Sequence, residues 1–249
     1  MNLISRIRTL ARVRPAAEPA LPEVAQSVAI ILDGNGRWAR KRGLPTAAGH
    51  RAGARTVRRI VEASIDVGIH DLAVFAFSTE NWSRSEEEVD ALMEIFAETI
   101  ERELPDLAEQ GVCVWFIGRR DRAPEELRRR MDAMEDRTAL NTRINLWVAF
   151  DYGGRAELVE AARRLVESGV DPDEIDENVF AANLYAPDLP DPDLVIRTSG
   201  ELRVSNFLLW QLAYAELAFV DKLWPDFGPR DLQHALDEYA SRRRRFGGR

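Results

Sequence analysis

Short apolar runs alternate along the chain with stretches in which apolar residues recur every three or four positions. The apolar runs cover residues 28–32, 72–77, 112–117, 144–150, 194–196 and 217–220. Runs of this length, separated by helical stretches, are typical of strands in a parallel sheet that helices connect and cover. The pattern therefore predicts an α/β fold with a central, mostly parallel, six-stranded sheet surrounded by helices.

Helical periodicity is clearest between residues 86 and 110. Its apolar face comprises Val89, Leu92, Met93, Phe96, Ile100, Leu104 and Leu107. Ser85, with Glu88 three residues later, predicts the start of this helix, because the pair can form a capping box. Pro105 predicts a kink in the last turns, since proline lacks the N–H that a helix interior needs. Gly111 predicts the end of the helix.

The remaining pattern indicates one domain behind an extension. Residues 168–192 are rich in Asp and Pro, which predicts a surface crossover with a short helix near 177–184 and not a linker between domains. Residues 1–23 hold three prolines and several alanines. We therefore predict a flexible N-terminal extension over residues 1–23 and a single domain over residues 24–249.

Composition narrows the classes of protein to which the chain can belong. The 249 residues are 45% hydrophobic, which is enough for the core of one α/β domain. The formal net charge of −8 disfavours a nucleic-acid partner, which would call for a basic surface. The lone cysteine, Cys113, excludes an internal disulfide and fits a reducing compartment. Its strand-like surroundings favour a packing role over a reactive thiol.

Membrane signals are weak. No apolar run approaches the length of a span, and arginines interrupt the apolar residues at the N-terminus, which argues against a secretory signal. We therefore expect a cytoplasmic protein. Within the extension, Leu3, Ile4, Ile7 and Leu10 can share a helical face opposite arginines, and such a face would suit a peripheral membrane contact. Disorder of the extension is the alternative that we favour.

The most informative motif directly follows the first predicted strand. It is a carboxylate in a glycine-rich turn, made of Asp33, Gly34, Asn35, Gly36 and Arg37. Ligands of open α/β sheets bind beyond the carboxyl ends of the strands, so Asp33 is expected at the edge of such a crevice. The glycines let the backbone approach an anion, and a helix starting near Arg37 would direct its positive end there. The combination predicts a divalent cation between Asp33 and a phosphorylated ligand.

Two other interpretations of this turn compete with the metal site. Asp33 could simply cap the helix that follows it. Alternatively, Asp33 could be the nucleophile of a phosphohydrolase. That chemistry usually wants a second carboxylate two residues later as the general acid. Asn35 stands at that position and cannot transfer a proton, which makes the phosphohydrolase the weaker hypothesis.

Polar clusters also follow two other predicted strands, which places them at the same edge of the sheet. The first contains Ser78, Asn81 and Arg84, which suit the orientation of a diphosphate, and Trp82, which would cover an apolar substrate. The second contains Arg197, Arg203 and Ser205, with Glu201 expected to orient one arginine. Guanidinium groups match phosphate oxygens in a bidentate geometry. A solvated charged loop is the alternative for the second cluster.

Three further features carry less information by themselves. His50, beside Arg51, could donate to a phosphate, although a lone histidine near a turn is more often structural. Glu216 lies among apolar residues, and its burial would cost free energy unless it is paired or bound to a metal. The arginines at residues 242–245 are typical of a solvated tail, or of a segment that closes over an anionic pocket.

Taken in order, these segments resemble the cis-prenyltransferase family, whose bacterial type is the undecaprenyl diphosphate synthase-like isoprenyl transferase. The segments are DGNGRW (33–38), FSTENW (77–82), DYGGR (151–155), IRTSGE (196–201), SNFLLWQ (205–211), YAEL (214–217), LWPDF (223–227) and RRFGG (244–248). They run from about residue 28 to residue 248 in the family's order and approximate spacing. A match of this many ordered motifs is far more specific than one glycine-rich loop.

The resemblance implies an Mg²⁺-dependent isoprenyl transferase that works as a homodimer. It would condense isopentenyl diphosphate with an allylic diphosphate, farnesyl or geranyl diphosphate, and hold the growing Z-polyprenyl chain in an apolar tunnel. Positive charge in such a site stabilises the departing diphosphate, and an apolar wall keeps the allylic cation dry.

The resemblance also implies roles for individual residues. Asp33 would bind Mg²⁺ and help the diphosphate to leave, and Glu216 would bind Mg²⁺ from the partner subunit. The family assigns Asn81 as the proton acceptor, but an amide is a poor base, so positioning of substrate or water, or proton transfer to diphosphate, are the alternatives. Substrate contacts would come from Gly34, Asn35, Gly36, Arg37, Trp38, His50, Ser78, Thr79, Glu80, Trp82, Arg84, Arg197, Arg203, Val204, Ser205, Arg245 and Gly247.

Two positions depart from the family's common pattern. Thr46 stands where many members carry an arginine, so one contact to the allylic diphosphate would be weaker or replaced by Arg42 or Arg51. Asp151 precedes the YGGR segment, where asparagine is frequent, and the resemblance provides no mechanistic role for it.

The sequence constrains product length only loosely. The helix over residues 86–110 carries no insertion, which argues against very long chains. Trp147 and Phe150 point to opposite faces of the fourth strand, so at most one lines a tunnel, whereas Ile144 on the face of Phe150 would leave room. We expect a medium-chain product such as undecaprenyl or decaprenyl diphosphate. A short-chain (Z)-prenyl diphosphate synthase is the alternative, and a non-catalytic prenyltransferase subunit is a weaker one, because this chain keeps both DGNGRW and the terminal Arg-x-Gly.

Overall fold

The computed structural model of the protein describes residues 25–242. Its centre is a six-stranded sheet in which every neighbouring pair is parallel, in the order β3-β4-β2-β1-β5-β6. The strands are β1 (Ser27–Ile31), β2 (Asp71–Phe75), β3 (Val112–Ile117), β4 (Ile144–Ala149), β5 (Leu194–Arg197) and β6 (Glu216–Phe219). The α/β class and all six predicted strands are confirmed.

Helices connect the strands and cover the sheet. They are α1 (Asn35–Lys41), α2 (Thr46–Asp66), α3 (Glu86–Arg102), α4 (Leu104–Glu109), α5 (Glu125–Thr138), α6 (Gly154–Ser168), α7 (Glu177–Ala181) and α8 (Pro229–Ser241). The hydroxyl of Ser85 accepts a hydrogen bond from the backbone N–H of Glu88, as the capping signal predicts. Within residues 25–242, no helix combines the length and apolar composition needed to span a bilayer.

The predicted kink at Pro105 is a full break between two helices. Helix α3 ends at Arg102, and α4 begins two residues later with Pro105 in its first turn. A proline is tolerated there, because the first N–H groups of a helix have no partner within the helix. Gly111 follows α4 in a left-handed conformation with φ of 86°, which turns the chain into β3.

The two faces of the sheet pack into separate apolar clusters. Ile30, Val74 and Val148 belong to the cluster that also contains residues of α2, α3, α5 and α8. Phe75 and Trp147 belong to the opposite cluster, together with residues of the loop that follows β5. Because successive strand residues point to opposite faces, this division follows the alternation of each strand.

The carboxyl ends of β1 and β5 form the crevice that the topology predicts. The chain leaves β1 toward β2 on one side, whereas β5 pairs with β1 on the other side, with Ile31 opposite Arg197. Such a change of direction leaves a gap between the two outgoing loops, and ligands of open α/β sheets bind in this gap. Asp33 lies directly above it.

Helices α1 and α2 approach each other at two glycines. A Cβ atom on Gly49 would lie 2.1 Å from the backbone oxygen of Asn35, and one on Gly53 would lie 2.4 Å from the Asn35 side-chain oxygen. No side chain fits at either position. The glycines of the GHRAG segment therefore place Asn35 against α2, and with it the turn that carries Asp33.

We expect Gly49→Ala to lower the free energy of unfolding by about 1–3 kcal/mol, because the added methyl group forces the two helices apart. Gly36→Ala is the matched control, since its Cβ would meet only Thr46 Cγ2 at an ordinary 3.6 Å. This control should leave stability unchanged within about 0.5 kcal/mol. Urea denaturation measures both variants, and equal stability of the two would contradict the close approach.

Candidate active site

A cleft of about 570 Å³ opens above the carboxyl ends of the central strands. Its polar lining comes from the loop after β1 (Asp33, Asn35), from α2 (His50), from the loop after β2 (Ser78, Glu80, Asn81, Arg84) and from the loop after β5 (Arg197, Arg203, Ser205, Asn206). Every one of these residues except Asn206 is a site residue predicted from the sequence. The fold thus brings together groups that are more than 160 positions apart in the chain.

Asp33 lies between two guanidinium groups. Its Oδ2 accepts a hydrogen bond from Arg197 Nη2 at 2.8 Å, and its Oδ1 lies 3.2 Å from Arg37 Nη2. Burial by itself would raise the pKa of Asp33. Hydrogen bonds from Arg197 and Ser199 and the charges of both arginines outweigh burial and hold the pKa below its usual range. The carboxylate is therefore ionised at neutral pH.

Arg197 organises the loop that follows β5. Its side chain is only 5% exposed, and it donates at 2.6 Å to both the Arg203 carbonyl and the Ser205 hydroxyl. The Nε of Arg197 is buried and has no hydrogen-bond partner among the described residues. The guanidinium therefore fixes the loop and retains a donor beside the cleft.

Glu201 links the two outer arginines of the cleft. Its carboxylate lies 3.4 Å from Arg37 Nη1 and accepts from Arg203 Nη1 at 2.6 Å. The sequence predicts one pairing, and the structure has two. The Arg203 side chain is largely exposed and would have many conformations by itself. Its ion pair with Glu201 holds it at the rim of the cleft.

Asn35 and His50 stand where the cleft meets an apolar cavity, and they line both. Within residues 25–242, Asn35 Oδ1 and His50 Nε2 are buried without a hydrogen-bond partner. Burial, and then the charge of Arg84, lower the pKa of His50 from 6.5 to about 4. The imidazole is neutral at pH 7. Two unsatisfied polar atoms at one place indicate a site for a polar ligand group.

The lowered pKa of His50 predicts a pH dependence of stability. Between pH 6.5 and pH 4 the unfolded chain binds a proton that the folded protein excludes, so stability falls as the pH drops through this window. We expect the free energy of unfolding to fall between pH 7 and pH 5 by about 2 kcal/mol more in the wild type than in His50→Gln. Urea titrations measure this difference. His70→Gln is the control, since its side chain is exposed, and parallel profiles of wild type and His50→Gln would contradict the burial of His50.

The loop after β2 forms one wall of the cleft as a 3₁₀ turn (Thr79–Ser83). The amide oxygen of Asn81 accepts a hydrogen bond from the Ser78 backbone N–H at 2.9 Å. This bond orients the amide and occupies its oxygen, which favours positioning over proton abstraction. Burial alone would raise the pKa of Glu80. Hydrogen bonds, first that from Asn206, hold this pKa below its usual range, so Glu80 is an anion in the cleft.

An apolar cavity of about 100 Å³ continues from the cleft between the sheet and helices α2 and α3. Val74, Phe116, Leu146 and Val148 line it from the sheet, and Ala54, Val57, Ile95, Phe96 and Ile100 line it from the helices. Leu32, Asn35, His50, Ala76 and Leu92 line both spaces. Its position, leading inward from the cleft, is that of the apolar tunnel that the family resemblance implies.

The bulky residues Trp147 of β4 and Phe150 directly after it lie outside this channel. Trp147 points to the opposite face and stacks on Trp115. Phe150 is on the channel side, but it packs behind Phe96 with ring centroids 5.1 Å apart. Leu146 and Val148 are the β4 residues that line the cavity, and Ile144, which is expected from the sequence to leave room for the chain, is not among the lining residues.

Two predicted substrate-binding tryptophans lie behind the cleft instead of facing it. The Trp38 indole N–H donates to Asp226 at 2.7 Å, with Arg42 stacked over the ring. The Trp82 indole N–H donates to Asp151 at 2.8 Å. Neither ring is among the residues that line the cleft or the cavity. Both indoles turn toward distant carboxylates that the sequence pattern does not reveal.

Other predicted residues shape the loops of the site. Gly34, with φ of 111°, packs against Leu223, where a Cβ atom would lie 2.9 Å from Leu223 Cδ2. The backbone N–H of Thr79 donates to the Tyr152 carbonyl, and Val204 packs against the second apolar cluster. These three residues shape the cleft by fixing the course of the backbone in its loops, and none of them lines it.

The structure does not bring Glu216 to Asp33. Glu216 begins β6 opposite Leu194, at the amino end of β5, whereas Asp33 lies beyond the carboxyl ends of the strands. Its carboxylate accepts from Arg242 Nη1 at 3.0 Å. Arg245 and Gly247 lie outside the described residues, as does the extension predicted over residues 1–23.

The arginines suggested as substitutes at Thr46 are engaged elsewhere. Arg42 pairs with Asp226, and Arg51 pairs with Glu98, each at 3.2 Å. Neither arginine lines the cleft. Thr46 itself is exposed at the start of α2.

Sequence reasoning missed two residues of the site. Asn206 lines the cleft and donates through Nδ2 to Glu80 at 2.9 Å. Trp224 is fully buried, lines the apolar cavity and donates to the Gly53 carbonyl at 2.9 Å. Both stand in segments that carry the family resemblance, SNFLLWQ and LWPDF, but no residue type in those segments by itself predicts a cleft or cavity wall.

The donor set at Asp33 fits a magnesium ion shared with a ligand. Residues 25–242 contain no group of three or more His, Cys, Asp or Glu side chains that could enclose a metal. Mg²⁺ is usually bound by one or two carboxylates together with substrate phosphates. The ionised and partly exposed Asp33 carboxylate is such a ligand, and the surrounding arginines suit the phosphates.

Comparison with known proteins identifies the family. A family model of undecaprenyl diphosphate synthases, a group of prenyltransferases, matches residues 31–247. This chain belongs to the undecaprenyl diphosphate synthase family. The assignment confirms the resemblance carried by the motifs and makes the protein a prenyltransferase.

The family relatives are similar over nearly their whole length. The ditrans,polycis-undecaprenyl-diphosphate synthase ((2E,6E)-farnesyl-diphosphate specific) of Xanthomonas axonopodis pv. citri is 50% identical over 238 residues, 94% of this chain and 93% of the relative. An isoprenyl transferase of Thermotoga maritima is 48% identical over 227 residues, 90% of this chain and 97% of the relative.

Solved structures of family members share the fold. Lavandulyl diphosphate synthase from Lavandula x intermedia, in complex with dimethylallyl diphosphate, superposes with a TM-score of 0.88 at 39% identity, covering 90% of this chain and 99% of that one. A probable undecaprenyl diphosphate synthase from Campylobacter jejuni superposes with a TM-score of 0.77 at 30% identity, and the match covers 91% of this chain and 100% of that one.

Proposed function

We propose that this protein is a cis-prenyltransferase that condenses isopentenyl diphosphate with an allylic diphosphate and extends it to a Z-polyprenyl diphosphate. One observation carries the proposal: two groups of anion-binding side chains flank Asp33, and an apolar cavity leads inward from the same cleft. A relative specific for (2E,6E)-farnesyl diphosphate supports that compound as the primer. Undecaprenyl diphosphate is accordingly the proposed product.

The two diphosphates would occupy opposite sides of Asp33. Arg197, Arg203 and Ser205 supply donors for isopentenyl diphosphate on the β5 side. His50 suits the allylic diphosphate, because its unsatisfied Nε2 can carry the proton and donate to a phosphate oxygen. Asn35 beside it would contact the diphosphate through its amide N–H group, since its unsatisfied Oδ1 only accepts. The hydrocarbon would enter between the sheet and α2. This placement directs the reacting carbon of the primer toward isopentenyl diphosphate.

The reaction requires charge stabilisation more than proton transfer. The allylic C–O bond breaks, diphosphate leaves, the terminal alkene carbon of isopentenyl diphosphate forms the new C–C bond, and its C2 loses a proton. Arg37 and Arg197 both pair with Asp33, so their positive charge would lie between the two diphosphates and beside the leaving group. Preorganised charge of this kind lowers the barrier. Asn81 is held to orient a substrate, and the departing diphosphate is the better proton acceptor.

We infer that Asp33 holds Mg²⁺ together with the leaving diphosphate. Magnesium, when bound, would neutralise charge on the diphosphate oxygens. Glu216 can contribute to such a site only from a second subunit, because the two carboxylates of one chain lie at opposite ends of the sheet. This placement supports the proposed homodimer. The tail residues Arg245 and Gly247 would then also act across it, and the extension is the proposed place of peripheral membrane contact for release of an apolar product.

A short-chain product is the second candidate. The cavity of about 100 Å³ is smaller than the roughly 300 Å³ of the smallest pockets for drug-sized ligands. A medium chain therefore requires α2 and α3 to move apart. The likeness to a lavandulyl diphosphate synthase also favours this candidate.

Labelled isopentenyl diphosphate and three primers test the proposal. The purified protein is incubated with dimethylallyl, geranyl or farnesyl diphosphate, with Mg²⁺ or with EDTA, and the products are separated by chromatography. We expect Mg²⁺-dependent incorporation by the protein alone, with farnesyl diphosphate preferred and a medium-chain product. Release of phosphate without an isoprenoid product would contradict the proposal, incorporation only after a second protein is added would indicate an accessory subunit, and C15 product alone would select the short-chain candidate.

We expect Ala54→Trp to shorten the product by several isoprene units, because the larger side chain enters the apolar cavity that would hold the chain. Incorporation of the first isoprene units should continue, since Ala54 lines the apolar cavity and not the cleft that Asp33 and Arg197 line. Arg55→Trp, exposed on the same helix, is the matched control. Chromatography of the dephosphorylated products compares the variants. An unchanged product distribution in Ala54→Trp would place the growing chain elsewhere.

A further inference from the structure

Asp151 is a fully buried carboxylate that contacts neither the cleft nor the cavity. It follows β4 in a left-handed conformation with φ of 44° and has no exposed surface. A buried carboxylate is costly unless it is paired and hydrogen-bonded. Arg122 supplies two donors, with Nε at 2.9 Å from Oδ2 and Nη2 on Oδ1, and the Trp82 indole N–H donates to Oδ1 at 2.8 Å.

The same arginine also packs on the tryptophan. The Arg122 guanidinium carbon lies 4.8 Å from the centre of the Trp82 ring, and the ring meets Phe77 edge-on with centroids 5.2 Å apart. Trp82 is therefore fixed through its N–H group, one ring face and its contact with Phe77. Such a combination of a charged hydrogen bond and a cation–π contact leaves the ring little rotational freedom.

Trp82 is partly buried, packs against the first apolar cluster and anchors the wall that carries Glu80 and Asn81. This wall is a 3₁₀ turn, whose own hydrogen bonds are weaker than those of an α-helix. At its start, the Thr79 N–H donates to the Tyr152 carbonyl at 2.9 Å. At the other end of the turn, Trp82 lies between Asn81 and Arg84 in the chain, so the position of its ring bears on where these cleft side chains lie.

We propose that Asp151 and Arg122 are positioning residues for the condensation reaction. They hold Trp82 from behind, and Trp82 holds Asn81 and Arg84 at the distance from Asp33 that the reacting substrates require. The inference deepens the proposed function and rests on it for the reaction being positioned. The anchoring of the ring is a separate physical claim with its own measurement.

Two variants of Asp151 test the proposal, with Asp71 as the matched control. Asp71 also accepts a hydrogen bond from an indole N–H, that of Trp147 at 2.9 Å, but at the amino end of the sheet. We expect Asp151→Ala to lower kcat at least tenfold at a temperature where the protein is folded. Asp151→Asn keeps an acceptor for the indole and should lose three- to tenfold. Asp71→Ala should lower the melting temperature while leaving kcat within twofold of wild type.

Hydrogen exchange of the Trp82 indole measures the anchor without any turnover. The resonance is assigned in ¹⁵N-labelled protein with Trp82→Phe, and we expect Asp151→Ala to exchange at least ten times faster than wild type and Asp71→Ala to exchange at the wild-type rate. If Asp151→Ala does not fold, Asp151→Asn carries both measurements. Absence of turnover in the wild type would contradict the proposed function. The exchange rates would still show whether Asp151 anchors the Trp82 ring.

Three results would overturn the proposal. The first is a kcat of the folded Asp151 variants within twofold of wild type. The second is an equal loss of kcat in Asp71→Ala, since that would show a general effect of instability. The third is an indole exchange rate that the Asp151 variants leave unchanged.

Discussion

Asp33→Asn is expected to lower kcat by about one hundred- to one thousandfold, while the KM values for both diphosphates change much less. The substitution keeps the volume of the side chain but removes the charge that faces Arg37 and Arg197. Loss of one preorganised electrostatic contact in a transition state typically costs about 3–4 kcal/mol. The arginines that bind the diphosphates remain, so substrate binding survives better than turnover. Steady-state incorporation of labelled isopentenyl diphosphate measures both constants.

The control for this variant is a carboxylate at the other end of β1. Asp193 accepts hydrogen bonds from the backbone N–H groups of Gln26 and Ser27, at 2.9 and 3.0 Å. Asp193→Asn should lower stability without changing kcat. Because the pKa of Asp33 is held below its usual 3.8, its ionised form also stabilises the fold, a contribution present at neutral pH and lost as the pH falls through the lowered value. A kcat of Asp33→Asn within fivefold of wild type would remove Asp33 from the reaction.

Arg197→Lys is expected to raise the KM for isopentenyl diphosphate at least tenfold and to lower kcat by about one hundredfold. Arg197 donates at once to Asp33, to the Arg203 carbonyl and to Ser205, a geometry that the planar guanidinium allows and an ammonium group cannot reproduce. The loop after β5 should therefore lose its fixed position. We also expect the free energy of unfolding to fall by about 1–3 kcal/mol, since the buried side chain at this position loses hydrogen bonds that the guanidinium makes.

Arg163→Lys is the control for the arginine substitution. Arg163 is exposed on α6 and forms a long surface pair with Glu160 at 3.6 Å, which contributes little to stability. This variant should match wild type in both activity and unfolding. If Arg197→Lys kept a wild-type KM for isopentenyl diphosphate, the assignment of the β5 side of the cleft to that substrate would be wrong.

The sequence predicts most of the polar cleft because one rule governs its position. Carboxyl ends of parallel strands lie at one edge of a sheet, so the residues after the predicted strands had to meet. Asp33, Asn81 and Arg197 are confirmed as neighbours of one cleft for this reason. The apolar channel is implied by the family resemblance, and the alternation of β4 explains only why Val148 lines it while Trp147 belongs to the opposite face.

The parts that the sequence does not predict depend on long-range pairing. The Trp82 indole donates to Asp151, 69 positions away, which holds the ring outside the cleft. The Trp38 indole donates to Asp226, 188 positions away, with the same result. Neither local periodicity nor residue type indicates which carboxylate an indole N–H will find. Asn206 was missed because its role depends on a left-handed backbone, with φ of 64°, in a loop without regular structure.

A crystal structure with Mg²⁺, isopentenyl diphosphate and a farnesyl thiolodiphosphate that cannot ionise tests the central claim most directly. We expect one diphosphate against Arg197 and Ser205, the other beside Asn35 and His50, a metal ion on Asp33 between them, and the farnesyl chain entering the apolar cavity between the sheet and helices α2 and α3. Diphosphates bound away from Asp33, or a farnesyl chain outside the cavity between the sheet and helices α2 and α3, would contradict the account.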